Sequence, residues 1–210
     1  MVVTKPNYES AAYDLIMTAK QKFVGEVLVK RARQTPNRIA CEFKGKTVTF
    51  KELNTEVNKL ANGLMAIGIK RGDVIACIFR NRIESITYLY AAAKIGAIVC
   101  MMNWRYTERE MTETINHVLQ PVLAVSSEKE NEKVENILKD CPTIKQVIYL
   151  DTPLKCSLPT YSQEEVIAKG TDVEPNVELH EEDILYIVFT SGTTGIPKGA
   201  AISQRAEIQR

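Results

Sequence analysis

Residues 190–199 combine hydroxyl, glycine and lysine residues in an order that could bind an oligophosphate. The segment has the sequence Thr-Ser-Gly-Thr-Thr-Gly-Ile-Pro-Lys-Gly. Its glycines allow backbone N–H groups to turn toward one point, and Lys198 adds a compact positive charge. The side-chain hydroxyls that add further donors are those of Thr190, Ser191, Thr193 and Thr194. This combination of groups is the one that a phosphate site needs.

The spacing of these residues differs from that of a Walker A loop, in which Gly-Lys-Ser/Thr follows four variable residues. Here Pro197 precedes the lysine and Gly199 follows it. Composition alone therefore leaves two interpretations open, a phosphate-binding loop and a solvated turn rich in Ser, Thr and Gly.

The elements that must position this segment alternate along the chain. The apolar run Ile184 to Phe189 predicts a buried strand that leads into the loop. Further strands are predicted at 74–79, 97–102, 122–125 and 146–150. Helices between them are predicted from the cap pairs Thr49/Glu52, Asn81/Glu84, Thr107/Glu110 and Ser127/Glu130, with a shorter helix at 162–169. This alternation predicts an α/β fold with a largely parallel sheet and helices on both faces.

The ordered string TSGTTGIPKG resembles the phosphate-binding loop of the AMP-forming adenylating enzymes, a superfamily that includes acyl-CoA synthetases, luciferases and peptide-synthetase adenylation domains. In that family the loop holds the β- and γ-phosphates of ATP while a carboxylate attacks the α-phosphate. Carried over by position, the resemblance implies that the ATP contacts are Thr190, Ser191, Gly192, Thr193, Thr194, Gly195 and Lys198.

The resemblance also covers upstream segments, from about residue 23 onward. The segments 48–53, 70–74 and 94–97 are similar to architectural elements of the family. Asn103-Trp104-Arg105, followed by Thr107, Glu108 and Glu110, is similar to a segment that many acyl-CoA synthetases carry. Peptide-synthetase domains usually have an aspartate after a proline there. The segment therefore favours fatty acyl-CoA synthetases.

The resemblance implies an ATP-dependent acid–CoA ligase that activates a carboxylic acid, with a fatty acid expected, as acyl-AMP and then forms acyl-CoA. ATP and CoA are the implied co-substrates and Mg²⁺ the implied cofactor. In family members, the metal-binding motif, the ribose-binding motif and the catalytic lysine all follow the part that corresponds to residues 1–210. We therefore expect no catalytic residue and no metal ligand here, and no acyl-CoA synthesis by these residues alone.

Two other functions stay open at this stage. A truncated product of such a gene can work as a non-catalytic interaction or regulatory module. An adenylation domain that loads a carrier protein is the other candidate, and Asn103 disfavours it.

The domain organisation follows from the same resemblance. We interpret residues 1–20 as an N-terminal arm and residues 21–210 as an incomplete AMP-binding domain, part of the N-terminal domain of an acyl-CoA synthetase-like fold. Residues 151–183, which contain three prolines and an acidic cluster, are predicted to form a surface connector before the phosphate loop. We also expect the strand 184–189 to need strand partners and helices on both faces, some of them from outside the chain.

Composition excludes several other classes of protein. Lys+Arg 27 against Asp+Glu 26 gives a net charge of +1, so no global field attracts nucleic acid. The five cysteines have no metal-ligand spacing and are typical of a reducing compartment. Because no apolar stretch approaches the ~20 residues of a membrane span, we expect an intracellular, cytoplasmic protein. Peripheral membrane association stays open.

Three polar features have modest expected roles. Gln204 stands where many relatives have a histidine toward the carboxylate side of the pocket, so we expect altered acid positioning. His117 and His180 are expected to be structural or surface residues. Arg71-Gly72-Asp73 matches a cell-adhesion tripeptide, but we predict a polar turn.

Overall fold

The computed structural model describes residues 21–190 and 198–209, except for the side chains of Val118 and Thr190. The helices are α1 (Val24–Gln34), α2 (Phe50–Ala66), α3 (Glu84–Ile95), α4 (Glu108–Thr114), α5 (Asn131–Leu138), α6 (Gln163–Lys169) and α7 (Gln204–Ile208). A π-helical turn, Ile115–Leu119, extends α4, and a 3₁₀ turn, Glu128–Glu130, precedes α5. The strands are β1 (Ile39–Phe43), β2 (Lys46–Thr49), β3 (Val74–Ile78), β4 (Ile98–Met101), β5 (Leu123–Ser126), β6 (Gln146–Tyr149), β7 (Thr160–Ser162), β8 (Ile184–Thr190) and β9 (Lys198–Ser203).

Seven of the strands form one sheet in the order β7-β6-β5-β3-β4-β8-β9. Every neighbouring pair in it is parallel except β8 and β9, which are antiparallel. β1 and β2 form a separate antiparallel hairpin whose turn, Lys44-Gly45, has positive φ at both residues. The predicted α/β fold with a largely parallel sheet is confirmed.

Helices cover both faces of this sheet, because successive side chains of a strand point to opposite faces. On β3, Ile75 and Cys77 pack with α1, α2 and α3, whereas Ala76 and Ile78 pack with α4 and α5. The strand is thus buried on both sides, which explains why its sequence is continuously apolar.

Three of the predicted helix caps are confirmed. Thr49, Thr107 and Ser162 each accept a hydrogen bond from the backbone N–H three residues later in a capping box. Asn81 was predicted wrongly, because α3 begins at Glu84 and the Glu84 carboxylate accepts hydrogen bonds from Arg82 instead. The predicted cap at Ser127 was also wrong. The Ser127 hydroxyl donates to the Glu130 carboxylate, and α5 begins only at Asn131.

Residues 151–183 contribute to the fold beyond connecting its parts. They supply β7, at one edge of the sheet, and α6, whose Val166 is fully buried. The strand before the loop has strand partners on both sides within the chain, so that part of the expectation was wrong, whereas the need for covering helices from outside the chain stays a prediction. β8 lies between β4 and β9, and a strand at 198–203 was not predicted.

α2 and α6 approach closely at Gly63 of α2. We expect Gly63→Ala to destabilise the fold by about 2 kcal/mol. A methyl group at Gly63 would lie 2.0 Å from the Val166 carbonyl oxygen, so the two helices would have to separate. Urea unfolding followed by circular dichroism measures the change. Lys51→Ala, at an exposed position of α2, is the control and should change stability by less than about 0.5 kcal/mol. An unchanged midpoint for Gly63→Ala would contradict the close approach.

The cysteines and histidines are placed as expected. All five cysteines are free, and burial raises the pKa of Cys100 to about 12 and that of Cys141 to about 11, so these thiols stay protonated. His117 and His180 are both exposed. Within the described ranges, no helix has the length and apolar character required to cross a membrane.

Candidate functional site

Several connecting segments leave the sheet from the same edge. β3, β4, β5, β6 and β8 are mutually parallel, so the segments that follow them all begin at what we call the carboxyl edge. Ligands of open α/β sheets bind outside this edge. The candidate site must therefore be sought there.

The predicted phosphate loop begins and ends at the carboxyl edge. Thr190 is the last residue of β8 and Lys198 the first of β9, and the two residues lie opposite each other in the antiparallel pair. Ser191, Gly192, Thr193, Thr194 and Gly195 lie outside the described residues. The contacts of these residues with ATP phosphates stay a prediction.

An ion pair fixes the point at which the chain enters β8. Arg71 donates from Nε and Nη2 to the two oxygens of Asp183, at 2.8 and 2.5 Å. Burial acts to raise the pKa of Asp183, but hydrogen bonds from Arg71 and from the His180 amide outweigh it and lower the pKa. Arg71-Gly72-Asp73 is thus a polar turn, as predicted, and its arginine ties the turn to β8.

This ion pair makes stability sensitive to acid. Because the folded-state pKa of Asp183 lies below the unfolded value, the pair stabilises the fold above the ordinary carboxyl pKa of about 4, and this contribution is lost as the pH falls through the folded-state pKa. We expect Asp183→Asn to lose about 1 kcal/mol at pH 7 and to show a shallower loss of stability below about pH 4. Denaturant unfolding at several pH values measures both effects. Asp172→Asn, at an exposed position, is the control, and an equal slope in both variants would contradict the assignment.

A buried lysine fastens the connector that precedes β8. Lys94 Nζ lies 2.6 Å from Glu174 Oε2 and 2.6 Å from Asn58 Oδ1, and it also contacts Asn54. Asn58 and Asn62 on α2 donate to connector carbonyl groups at 2.8–2.9 Å. One face of α2 therefore holds residues 171–174 in place.

The segment after β9 is tied to the helical layer by Gln204. Its side chain is buried, accepts a hydrogen bond from the Val24 amide at 3.0 Å and donates to the Ala93 carbonyl oxygen at 3.1 Å. Both polar ends of the side chain are therefore used within the fold. These contacts give Gln204 a structural role, while an effect on acid positioning stays a prediction.

Cationic side chains from three elements surround the segment after β4, which contains Trp104. The guanidinium carbons of Arg80 and Arg105 lie 4.2 and 4.8 Å from the centre of the Trp104 ring. Lys133 donates to the carbonyl oxygens of Trp104 and Tyr106. Sequence reasoning singled out Trp104 and Arg105 by resemblance but missed Arg80 and Lys133. The position of Arg80, two residues beyond β3, was the signal that could have indicated it.

No metal centre is formed by the part of the chain that the structure describes. In residues 21–190 and 198–209 no group of three or more His, Cys, Asp or Glu side chains could hold a metal ion.

The family is decided by a match that covers most of the chain. The family model for AMP-binding enzyme matches residues 28–210. The chain belongs to the AMP-binding enzyme family. The resemblance of the phosphate loop and of the upstream segments is thereby confirmed.

Two curated relatives within the AMP-binding family are CoA ligases. A 3-oxocholest-4-en-26-oate–CoA ligase from Rhodococcus rhodochrous is 31% identical over 166 residues, covering 78% of this chain and 30% of the relative. A medium/long-chain-fatty-acid–CoA/3-oxocholest-4-en-26-oate–CoA ligase from Mycobacterium marinum is 31% identical over 170 residues, covering 78% of this chain and 31% of the relative. The chain thus spans about a third of the length of these relatives.

A solved structure shares the fold described above. The inhibitor-bound N-terminal domain of FACL13 from Mycobacterium tuberculosis superposes with a TM-score of 0.75 at 26% identity, covering 88% of this chain and 45% of that one. The sheet and its helices are thus those of an acyl-CoA synthetase N-terminal domain of the AMP-binding family.

Proposed function

We propose that this chain carries the ATP-phosphate-binding part of an acid–CoA ligase. In the complete reaction a carboxylic acid and ATP give acyl-AMP and pyrophosphate, and the acyl group then passes to CoA. A fatty acid is the proposed acid. Ser191, Thr193 and Thr194 supply hydroxyl donors, Gly192 and Gly195 backbone donors, and Lys198 a charge, with Thr190 at the start of the loop.

One observation carries this proposal. The TSGTTGIPKG string joins β8 to β9, so its first and last contact residues, Thr190 and Lys198, lie opposite each other at the carboxyl edge. That edge is where open α/β sheets bind ligands. The composition of the string supplies the donors and the positive charge that an oligophosphate requires.

The proposed chemistry explains why the contacts are to the β- and γ-phosphates. The carboxylate oxygen forms a bond to the α-phosphorus, and the bond to the bridging oxygen of the β-phosphate breaks. The electron pair and negative charge leave with pyrophosphate, so donors that hold these phosphates stabilise the charge as it develops. In the second step the CoA sulfur attacks the acyl carbonyl carbon and AMP leaves. Mg²⁺ bound with ATP would offset further phosphate charge.

The proposal of a fatty acid rests on the relatives. The Mycobacterium marinum relative is named for medium- and long-chain fatty acids as well as for a steroid acid. Other CoA ligases among the relatives act on 2-succinylbenzoate, which is an aromatic acid. A fatty acid is therefore the first acid to test, with an aromatic acid as the comparison.

The proposal is tested with the endogenous protein, purified with an antibody against residues 1–20, beside the recombinant 210-residue chain. We expect the endogenous protein to exchange labelled pyrophosphate into ATP when a long-chain fatty acid is present. The recombinant chain should bind ATP without catalysing exchange. If the endogenous protein binds ATP but catalyses no pyrophosphate exchange with any acid tested, the ligase proposal is overturned and a non-catalytic role is favoured.

A further inference from the structure

A cavity lies at the carboxyl edge of the sheet. It has a volume of about 350 Å³ and lies among the segments that follow β3, β5 and β6, with the β1–β2 turn as its outer wall. Apolar surface from Phe43 and Ile83 contributes to its lining. The volume falls in the lower part of the range of small-molecule sites.

The position of the cavity follows from the sheet topology. β3 and β5 are neighbours in the sheet, although β4 lies between them in the chain. The helix after β3, α3, packs on one face of the sheet, whereas the helix after β5, α5, packs on the other. The segments that follow β3 and β5 therefore diverge and leave a crevice between them. Such a topological switch point is where open α/β sheets bind their ligands.

Two arginines form ion pairs with three of the four carboxylates that line this cavity. Arg82 donates to both oxygens of Asp151 and both oxygens of Glu84, at 2.8–3.1 Å. Arg80 donates from Nε to Glu130, which is buried, at 2.9 Å. These ion pairs link the segments after β3, β5 and β6 and hold the cavity in shape.

The remaining charges leave the cavity with a positive surplus. Lys44, Lys46 and Lys129 line it and are exposed, and the carboxylate that stands against them in the lining is that of Glu128. Lys46 also interacts electrostatically with Glu56, behind the hairpin, and with Glu84. In all, five cationic side chains and four carboxylates line the cavity, which gives the lining a net charge of +1. Glu56, which lies outside the lining, balances that charge at a greater distance. Arg80, whose charge is already paired with Glu130, has a side chain that is 49% exposed.

We propose that this cavity is a second anion site, which binds the phosphate groups of a small molecule between Lys44, Lys46 and Lys129. Ammonium groups bind phosphate as point charges, and an anion with more than one charge can engage several of them together. The ligand class is therefore a small molecule with a phosphate or diphosphate group. This site would act independently of the phosphate loop.

The single tryptophan provides a built-in reporter for this site. Trp104 lies against the Arg80 guanidinium, and Arg80 lines the cavity. We would titrate inorganic pyrophosphate into the full chain carrying Lys198→Ala, which weakens the predicted loop site, and follow the Trp104 fluorescence. We expect a saturable change that weakens as salt is raised.

Charge variants decide whether the signal comes from the cavity. Lys44→Ala, Lys46→Ala and Lys129→Ala combined should weaken binding about tenfold, whereas Glu128→Gln should tighten it about twofold. Lys139→Ala, Lys155→Ala and Lys169→Ala combined remove the same charge from exposed positions elsewhere and should leave the affinity unchanged. Circular dichroism checks the fold of each variant.

Three results would overturn the proposal. They are an equal loss in both triple variants, adenosine binding as tightly as pyrophosphate, and no saturable change up to about 10 mM pyrophosphate. Because this readout needs neither an acid nor CoA, it can fail while the ligase proposal stands, or succeed while that proposal fails.

Discussion

Replacement of Lys198 by alanine is expected to weaken ATP binding about 30-fold. Lys198 begins β9 directly opposite Thr190, at the end of the predicted phosphate loop, and its side chain is exposed. A hydrogen bond to a charged partner contributes about 2 kcal/mol, which corresponds to the expected change. Lys198→Arg should retain part of the affinity, because the charge is kept while its geometry differs.

Isothermal titration of ATP into the chain measures this effect. Lys155→Ala removes the same charge from an exposed site elsewhere and should bind ATP like the wild type. The midpoint of thermal unfolding of Lys198→Ala should equal that of the wild type, because the side chain that is removed is exposed. If Lys198→Ala binds ATP as tightly as Lys155→Ala does, the proposed role of Lys198 is wrong.

Replacement of Glu174 by alanine is expected to destabilise the fold by about 3 kcal/mol. The Lys94 side chain is 4% exposed and that of Glu174 is 37% exposed, with 2.6 Å between Nζ and Oε2. Burial lowers the pKa of Lys94, although the hydrogen bond and charge of Glu174 act to raise it. Without Glu174 the buried ammonium group would keep two amide oxygens as partners but no counter-charge.

A second variant distinguishes charge compensation from lost packing. Adding Lys94→Met to Glu174→Ala removes the unpaired charge and should recover part of the stability. The loss of stability caused by Glu174→Ala should also become smaller as the pH rises toward the ordinary lysine pKa of about 10.4. In that range Lys94 binds a proton more often in the unfolded state than in the folded state, so a rise in pH favours folding of the variant. Denaturant unfolding of the three proteins measures both effects. Equal destabilisation of the single and double variants would show that the counter-charge is not the cause.

The parts of the fold that depend on local sequence could be predicted. Thr49 with Glu52 caps a helix because both groups lie within one turn of the same segment. Ser127 with Glu130 has the same spacing, yet the Glu130 carboxylate accepts hydrogen bonds from the Ser127 hydroxyl and from Arg80, 50 residues away in the chain, and the backbone bonds of a capping box are not formed. A sequence pattern cannot show that a distant arginine binds the same carboxylate.

The site shows the same division between local and distant causes. The loop was predicted from contiguous residues, and the strand before it was predicted from its apolar run. Lys94 was not predicted to bind Glu174, since 80 residues separate them and only the fold brings them together. The cavity between β3 and β5 was likewise out of reach, because the order of strands in the sheet differs from their order in the chain.

The antiparallel pairing of Thr190 with Lys198 has a consequence for the entropy of ligand binding. Bringing together the ends of a segment as long as residues 191–197 costs about 1.7 kcal/mol of chain freedom. Because β8 and β9 pair when the sheet forms, with Asp183 fixed before them and Gln204 after them, this entropy is lost on folding and not on ligand binding. Substitutions that loosen either end would then weaken nucleotide binding without removing a single contact to the phosphates.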